Sequence, residues 1–190
     1  VYACSGTPVD CVKMAFDHLL KDNFPDLTIS GINHGSNSAI SVIYSGTMAA
    51  AIEASFYGRP SIGFSYLDHD DEADFSVAVQ FAEQIILKVL ENTIELPLCL
   101  NVNIPIAPSE QMQGIKICRQ AHGYWQETFV CRKDPRGKDY YWLTGEFNNA
   151  EPDSPDTDEW ALANNYVSVV PIQIDLTNHA QMKELSGLLE

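Results

Sequence analysis

Positive charge is scarce in this sequence: 11 Lys and Arg stand against 26 Asp and Glu, a net charge of −15. A surface of that sign repels phosphate backbones and argues against a nucleic-acid duplex as partner. A small phosphorylated ligand stays open, because a helix N-terminus or a metal ion supplies local positive charge. Long apolar runs are also missing. None approaches the ~20 residues that span a bilayer, so no membrane partner is expected. The first residues lack the blocks of a signal peptide. Cysteine is present without a pattern. Cys4, Cys11, Cys99, Cys118 and Cys131 are odd in number and form no C-x-x-C pair. That argues against a disulfide framework or zinc site and for reduced thiols in a cytoplasmic protein. Neither G-x-G-x-x-G nor G-x-x-x-x-G-K-[ST] occurs, which removes the dinucleotide and P-loop readings. "GFSYL" is not a G-x-S-x-G elbow, because Leu67 stands where the second glycine belongs.

What remains is an alternation of short apolar runs with helical patterns over 190 residues. In "SGTPVDCVKMAFDHLL", Thr7 suits an N-cap, Pro8 the first helical position and Asp10 the acid of a capping box. Val12, Ala15, Phe16, Leu19 and Leu20 follow at helical spacing. Val1–Cys4, "LTISGIN", "SIGFSYL", "LCLNVNIP", "GIKICRQA" and "YVSVVPIQIDLT" read as strands, apolar with little alternation, as in a sheet covered on both faces. "SGTMAAAIEASFYG" and "EADFSVAVQFAEQIILKVLEN" read as the helices between them. The pattern predicts a single α/β domain over 1–190 with a mostly parallel, doubly wound sheet. Two aromatic runs around "DPRG" predict a β-hairpin over 123–150. A strand and a short helix close the chain over 166–190.

"SGINHGSNSAISVIYSGTMAAAIEA" holds more small polar residues than a turn needs. It links the carboxyl end of a strand to a helix, and ligands of doubly wound sheets bind outside such ends. "YSGT" would open the helix, with the N–H groups of Ser45, Gly46 and Thr47 free to meet an anion. Asn33 offers a neutral oxygen of the kind hard cations accept. The plainer reading makes Ser45 an N-cap and the glycines turn formers. "LDHDDEADF" gathers Asp68, His69, Asp70, Asp71, Glu72 and Asp74, a tempting metal cluster, but acids also favour helix starts.

Several segments occur in one order: "GTPVDCV", "PDLTISGINHGSN", "YSGTMAAAIEA", "LNVNIP", "DPRG", "TDEWALANNYVSVVPI" and "DLTNH". Together they resemble the SurE family of metal-dependent 5′/3′-nucleotidases over nearly the whole chain. The resemblance implies a Rossmann-like three-layer fold with a protruding hairpin and a C-terminal segment exchanged between subunits. It implies a divalent-metal-dependent phosphomonoesterase of nucleoside 5′- or 3′-monophosphates, with Mn²⁺ or Mg²⁺ as cofactor. Asn33 is then a metal ligand. Ser45, Gly46 and Thr47 hold the substrate phosphate, and Gly35 and Asn37 line the pocket. The family's opening Asp-Asp-Gly motif and a later serine, which complete the metal site, have no counterpart here. The expectation is an N-terminally truncated member that lacks the catalytic aspartates. The alternative is a non-catalytic oligomeric nucleotide-binding protein. A homodimer or homotetramer is expected, with Asp175 and His179 pairing to lock the exchanged segment, or else capping a helix within one chain.

Overall fold

Thr7 behaves as its place before Pro8 predicts. In the computed structural model, which describes residues 1–92, 94–95 and 97–189, Thr7 Oγ1 accepts from the Asp10 amide at 3.3 Å. Asp10 accepts in turn from the Thr7 amide at 2.8 Å. This reciprocal box starts helix α1 (Pro8–Met14), which continues as a wider turn, Ala15–Leu19. Val12 and Phe16 are buried, while Leu19 and Leu20 lie toward solvent. Val1–Cys4, expected as a strand, is exposed and not a strand. It pairs with no strand among the described residues, so its apolar character alone does not make it one.

The chain then runs β1 (Thr28–His34), α2 (Gly46–Ser55), β2 (Ser61–Tyr66), α3 (Ser76–Glu91) and β3 (Cys99–Ile104). Next come β4 (Gly114–Ile117), β5 (Gly123–Lys133), β6 (Asp139–Asn149), α4 (Asp158–Ala163), β7 (Tyr166–Pro171) and α5 (His179–Leu189). Glu190, the last residue of the predicted 166–190 segment, lies outside the described residues. Five strands form one sheet in the order β1-β2-β3-β7-β4. The β1–β2, β2–β3 and β4–β7 pairings are parallel, and β3–β7 is antiparallel. β7 and β4 therefore run opposite to the first three strands, a reversal the βαβ reading does not contain. The hairpin β5–β6 stands apart as its own two-stranded sheet.

Helices cover both faces, as an α/β layer fold requires. The expectation of little alternation is wrong, because β2 and β3 alternate strictly. Ile62, Phe64 and Tyr66 of β2 join Leu100, Val102 and Ile104 of β3 and Val167 and Val169 of β7 in one apolar cluster. Ala78, Ala82, Ile85 and Val89 of α3 pack on it, spaced as one helix face. On the opposite face of these strands Ser61, Ser65, Asn101, Asn103 and Ser168 are buried as well. Cys99 on this face packs with Met48 and Ala51 of α2. Gly63 leaves room there for Met48: a Cβ on it would lie 2.4 Å from Met48 Sδ and push that side chain aside. Both faces are covered, but one is built of polar side chains.

Candidate active site at the carboxyl ends of three strands

The strand register sets the site. Asn33 pairs with Ser65, Ser65 with Asn103, and Asn103 with Ser168, giving a polar row across β1, β2, β3 and β7. Ser65, Asn103 and Ser168 are fully buried. Burying such groups is costly unless they are hydrogen-bonded. The loop after β1 satisfies most of them. The Asn37 amide donates to Asn103 Oδ1 at 2.7 Å, and Asn37 Nδ2 to Ser65 Oγ at 2.5 Å. Asn101 Nδ2 donates to the Asn37 carbonyl at 2.8 Å, and Asn103 Nδ2 to Asn101 Oδ1 at 3.0 Å. Ser168 Oγ has no partner among the described residues.

Asp158, at the start of α4, fixes the next part of the same loop. Its carboxylate accepts from the amides of Ala39 (2.9 Å), Ala121 (2.9 Å) and Glu159 (2.8 Å). One buried side chain thus ties together the site loop, the approach to the hairpin and α4. Burial pushes the Asp158 carboxyl up, and these amide bonds oppose the shift. Ala39 sits at φ 47°, a conformation that L residues other than Asn and Asp rarely adopt. A 3-10 turn, Ala39–Tyr44, carries the chain to Ser45.

Each predicted site residue can now be located. Asn33 is half-buried near the end of β1. Its Nδ2 donates to the carbonyls of His34 (2.8 Å) and Gly35 (3.1 Å), which leaves Oδ1 as the free face of the amide. Gly35, at φ 87°, donates its amide to the Tyr66 carbonyl at 2.7 Å. Its conformation favours glycine, and a Cβ there would meet the His69 ring at 2.4 Å and displace it. Asn37 is buried, and its amide, carbonyl and Nδ2 are all engaged in the polar network. Ser45 caps α2 by accepting from the Met48 amide at 3.0 Å. The amides of Gly46 and Thr47 have no protein acceptor among the described residues. A Cβ on Gly46 would lie 3.2 Å from the Pro8 ring, so the start of α1 stands beside the start of α2.

A cavity of about 590 Å³ also borders Ser45, but Val42, Ile43, Ile52, Ile172 and Leu176 make its walls largely apolar. It suits apolar chain better than phosphate. The "LDHDDEADF" acids serve local turns: Asp68, Asp70 and Asp74 each accept from the backbone amide two residues on. No three His, Cys, Asp or Glu side chains come together as a metal site among the described residues. His179 Nε2 lies 2.7 Å from Asp175 Oδ2, within one chain.

A sequence profile described as Survival protein SurE matches residues 1–127. The chain belongs to the SurE family. It is 56% identical over 186 residues to the 5′-nucleotidase SurE of Flavobacterium psychrophilum, covering 98% of this chain and 72% of that protein. Against the 5′-nucleotidase SurE of Cytophaga hutchinsonii the identity is 56%, over 97% and 71% of the two chains. The SurE protein of Aquifex aeolicus superposes with a TM-score of 0.80 at 38% identity, covering 98% of this chain and 74% of that one. SurE nucleotidases are generally metal-dependent. Tested against that, Asn33 fits as one ligand, with its amide nitrogen tied back and its oxygen free. The described residues bring no carboxylate cluster to join it. They do not make a complete site for a hard cation, which needs several oxygens.

Three residues that build this network escaped the sequence reading: Asn101, Asn103 and Asp158. The alternating asparagines of "LCLNVNIP" and the acid after Thr157 were the available signals.

Proposed function

We propose that the chain is a phosphomonoesterase that hydrolyses nucleoside 5′- or 3′-monophosphates. The observation that carries the reading is the free start of α2, capped by Ser45 and reached from the Asn33 end of β1 through the asparagine network. The names of the SurE relatives support it. The amides of Gly46 and Thr47 and the hydroxyl of Thr47 hold the phosphate oxygens, where the helix dipole favours negative charge. Charge on the equatorial oxygens grows in the transition state, and fixed N–H donors stabilise it without reorganisation. Water adds to phosphorus, the ester P–O bond breaks, and a proton from that water passes to the departing nucleoside oxygen, leaving a nucleoside hydroxyl and inorganic phosphate. Gly35 and Asn37 shape the pocket wall. Asn33 would contribute one oxygen ligand to a divalent cation, Mn²⁺ or Mg²⁺, whose other ligands the described residues do not bring together. When bound, that ion supplies Lewis-acid polarisation of the phosphate.

The active form is a homodimer or homotetramer. The hairpin exposes Phe129, Tyr141, Trp142 and Leu143, an apolar surface of the kind subunits cover. The C-terminal segment with Asp175 and His179 is the part exchanged. No helix is long and apolar enough to cross a membrane among the described residues. A cytoplasmic location fits the unpaired thiols.

The experiment is phosphate release from AMP with Mn²⁺, repeated with EDTA and with Asn33→Ala. Activity abolished by both treatments supports the reading. A second reading, a non-catalytic nucleotide-binding oligomer, fits the lack of a carboxylate cluster among the described residues. AMP binding that ignores EDTA, with no phosphate released, would establish it instead.

A further inference from the structure

A second cavity, about 220 Å³, lies where the site loop meets the base of the hairpin. Ser38, Ser41, His69, Trp125, Phe147 and Glu159 contribute to its wall. Trp125 and Phe147 meet edge to face with ring centroids 5.7 Å apart. The indole is further fixed by Nε1, which donates to Ser41 Oγ at 3.1 Å. The same wall carries a carboxylate. Glu159 Oε1 accepts from Ser38 Oγ, while Oε2 takes no hydrogen bond from the protein among the described residues. A half-buried carboxylate oxygen without a partner invites a donor. The cavity also borders the Asn33 end of β1. His69 fills the space beside Gly35, whose carbonyl accepts from Asn33 Nδ2.

The wall thus offers a fixed flat ring, a free carboxylate oxygen and several hydroxyls in a space too small for a whole nucleotide. A phosphate is excluded, since Glu159 would repel it. A planar heterocycle carrying N–H or O–H donors matches on each count. We infer that this cavity is the nucleoside subsite, where Trp125 flanks the base and Glu159 Oε2 accepts from the donors of base or ribose. The inference rests on the nucleotidase reading and adds its specificity determinant. It makes Glu159 and Trp125 the residues that separate nucleotides from simple phosphate esters.

The test uses adenosine, which carries no phosphate, titrated calorimetrically into the full chain and into Glu159→Gln, Trp125→Leu and Trp125→Phe. Expected is measurable binding, weakened about tenfold or more by Glu159→Gln and by Trp125→Leu. Trp125→Phe, which keeps a ring, should stay within a few-fold of the unaltered chain. The half-exposed Trp125 ring gives an arm that survives even if the Glu159 variant fails to fold. No adenosine binding, or equal affinity in all four proteins, overturns the inference. Phosphate release from AMP is read in the same preparations. Release without Trp125- and Glu159-dependent adenosine binding leaves the phosphatase and removes the subsite. Dependent binding without release does the reverse.

Discussion

The two faces of one sheet are made from neighbouring residues of the same strands, yet they do different work. Toward α3, Phe64, Val102 and Ile104 bury apolar surface, and their geometry is set by volume alone. Toward the site loop, Ser65, Asn101 and Asn103 are just as buried but held by directional hydrogen bonds. An apolar face tolerates small slips as long as space is filled. A polar face specifies one arrangement, because a partner moved by an ångström leaves a buried group unsatisfied. Stability and positioning thus sit on opposite faces of one sheet, a layer one residue thick.

Substitutions on each side can break that division. Phe64→Ala should cost the most stability, about 3–5 kcal/mol in a urea titration. Phosphate release per folded molecule should stay near that of the unaltered chain. Asn103→Ala should cost less, about 1–3 kcal/mol, because it strands the buried Asn37 amide and Asn101 Oδ1. Its phosphate release should nevertheless fall steeply, by about 100-fold, since the loop leading to Asn37 and Ser45 loses its anchor. Equal loss of activity in both variants would dissolve the distinction between the faces. Ser45→Ala should cost about 1 kcal/mol through the lost cap and raise KM for AMP.

The smallest expected effects concern pH and sharpen the comparison at two glutamates. Burial, the dominant cause, raises the Glu159 carboxyl above the ordinary 4.5, helped by the charge of Asp158 and opposed by the Ser38 hydroxyl. Folding therefore favours its protonated form. That contribution is full below pH 4.5 and is lost as pH rises through the raised value. Glu151, paired with Arg119 and accepting from the His122 amide, is lowered from 4.5 to about 2. Its contribution is present above pH 4.5 and is lost as pH falls toward about 2. Urea midpoints measured across pH should lose the weakening on the neutral side in Glu159→Gln and part of the acid-side weakening in Glu151→Gln.

Much of the local structure was legible in the sequence. Thr7, Pro8 and Asp10 announced α1, and Ser45 announced the start of α2, because caps act within three residues of themselves. "DPRG" marked the turn between β5 and β6 for the same reason: the Asp134 side chain accepts from the Arg136 and Lys138 amides. What escaped acts over distance. Asn103 meets Asn37 across 66 residues, and Asp158 meets Ala39 across 119. No local pattern carries such a bond, so "LCLNVNIP" reads as a buried strand without revealing what its asparagines hold. The reversal at β7 is equally silent, since a strand of valines looks the same in either direction.

The hairpin also has a mechanical meaning. Each arm is 11 residues long, so the turn at Asp134–Gly137 sits about 37 Å beyond its base at ~3.4 Å per residue. The base is gripped by Arg119, which reaches Glu151 at 2.7 Å and Asp156 at 2.7 Å, and by Trp125 against Ser41. Those contacts act as the fulcrum of a long lever. A tilt of 5° at the fulcrum sweeps the tip through about 3 Å over that length. A load placed on the tip is returned, magnified, as torque on the indole that walls the smaller cavity.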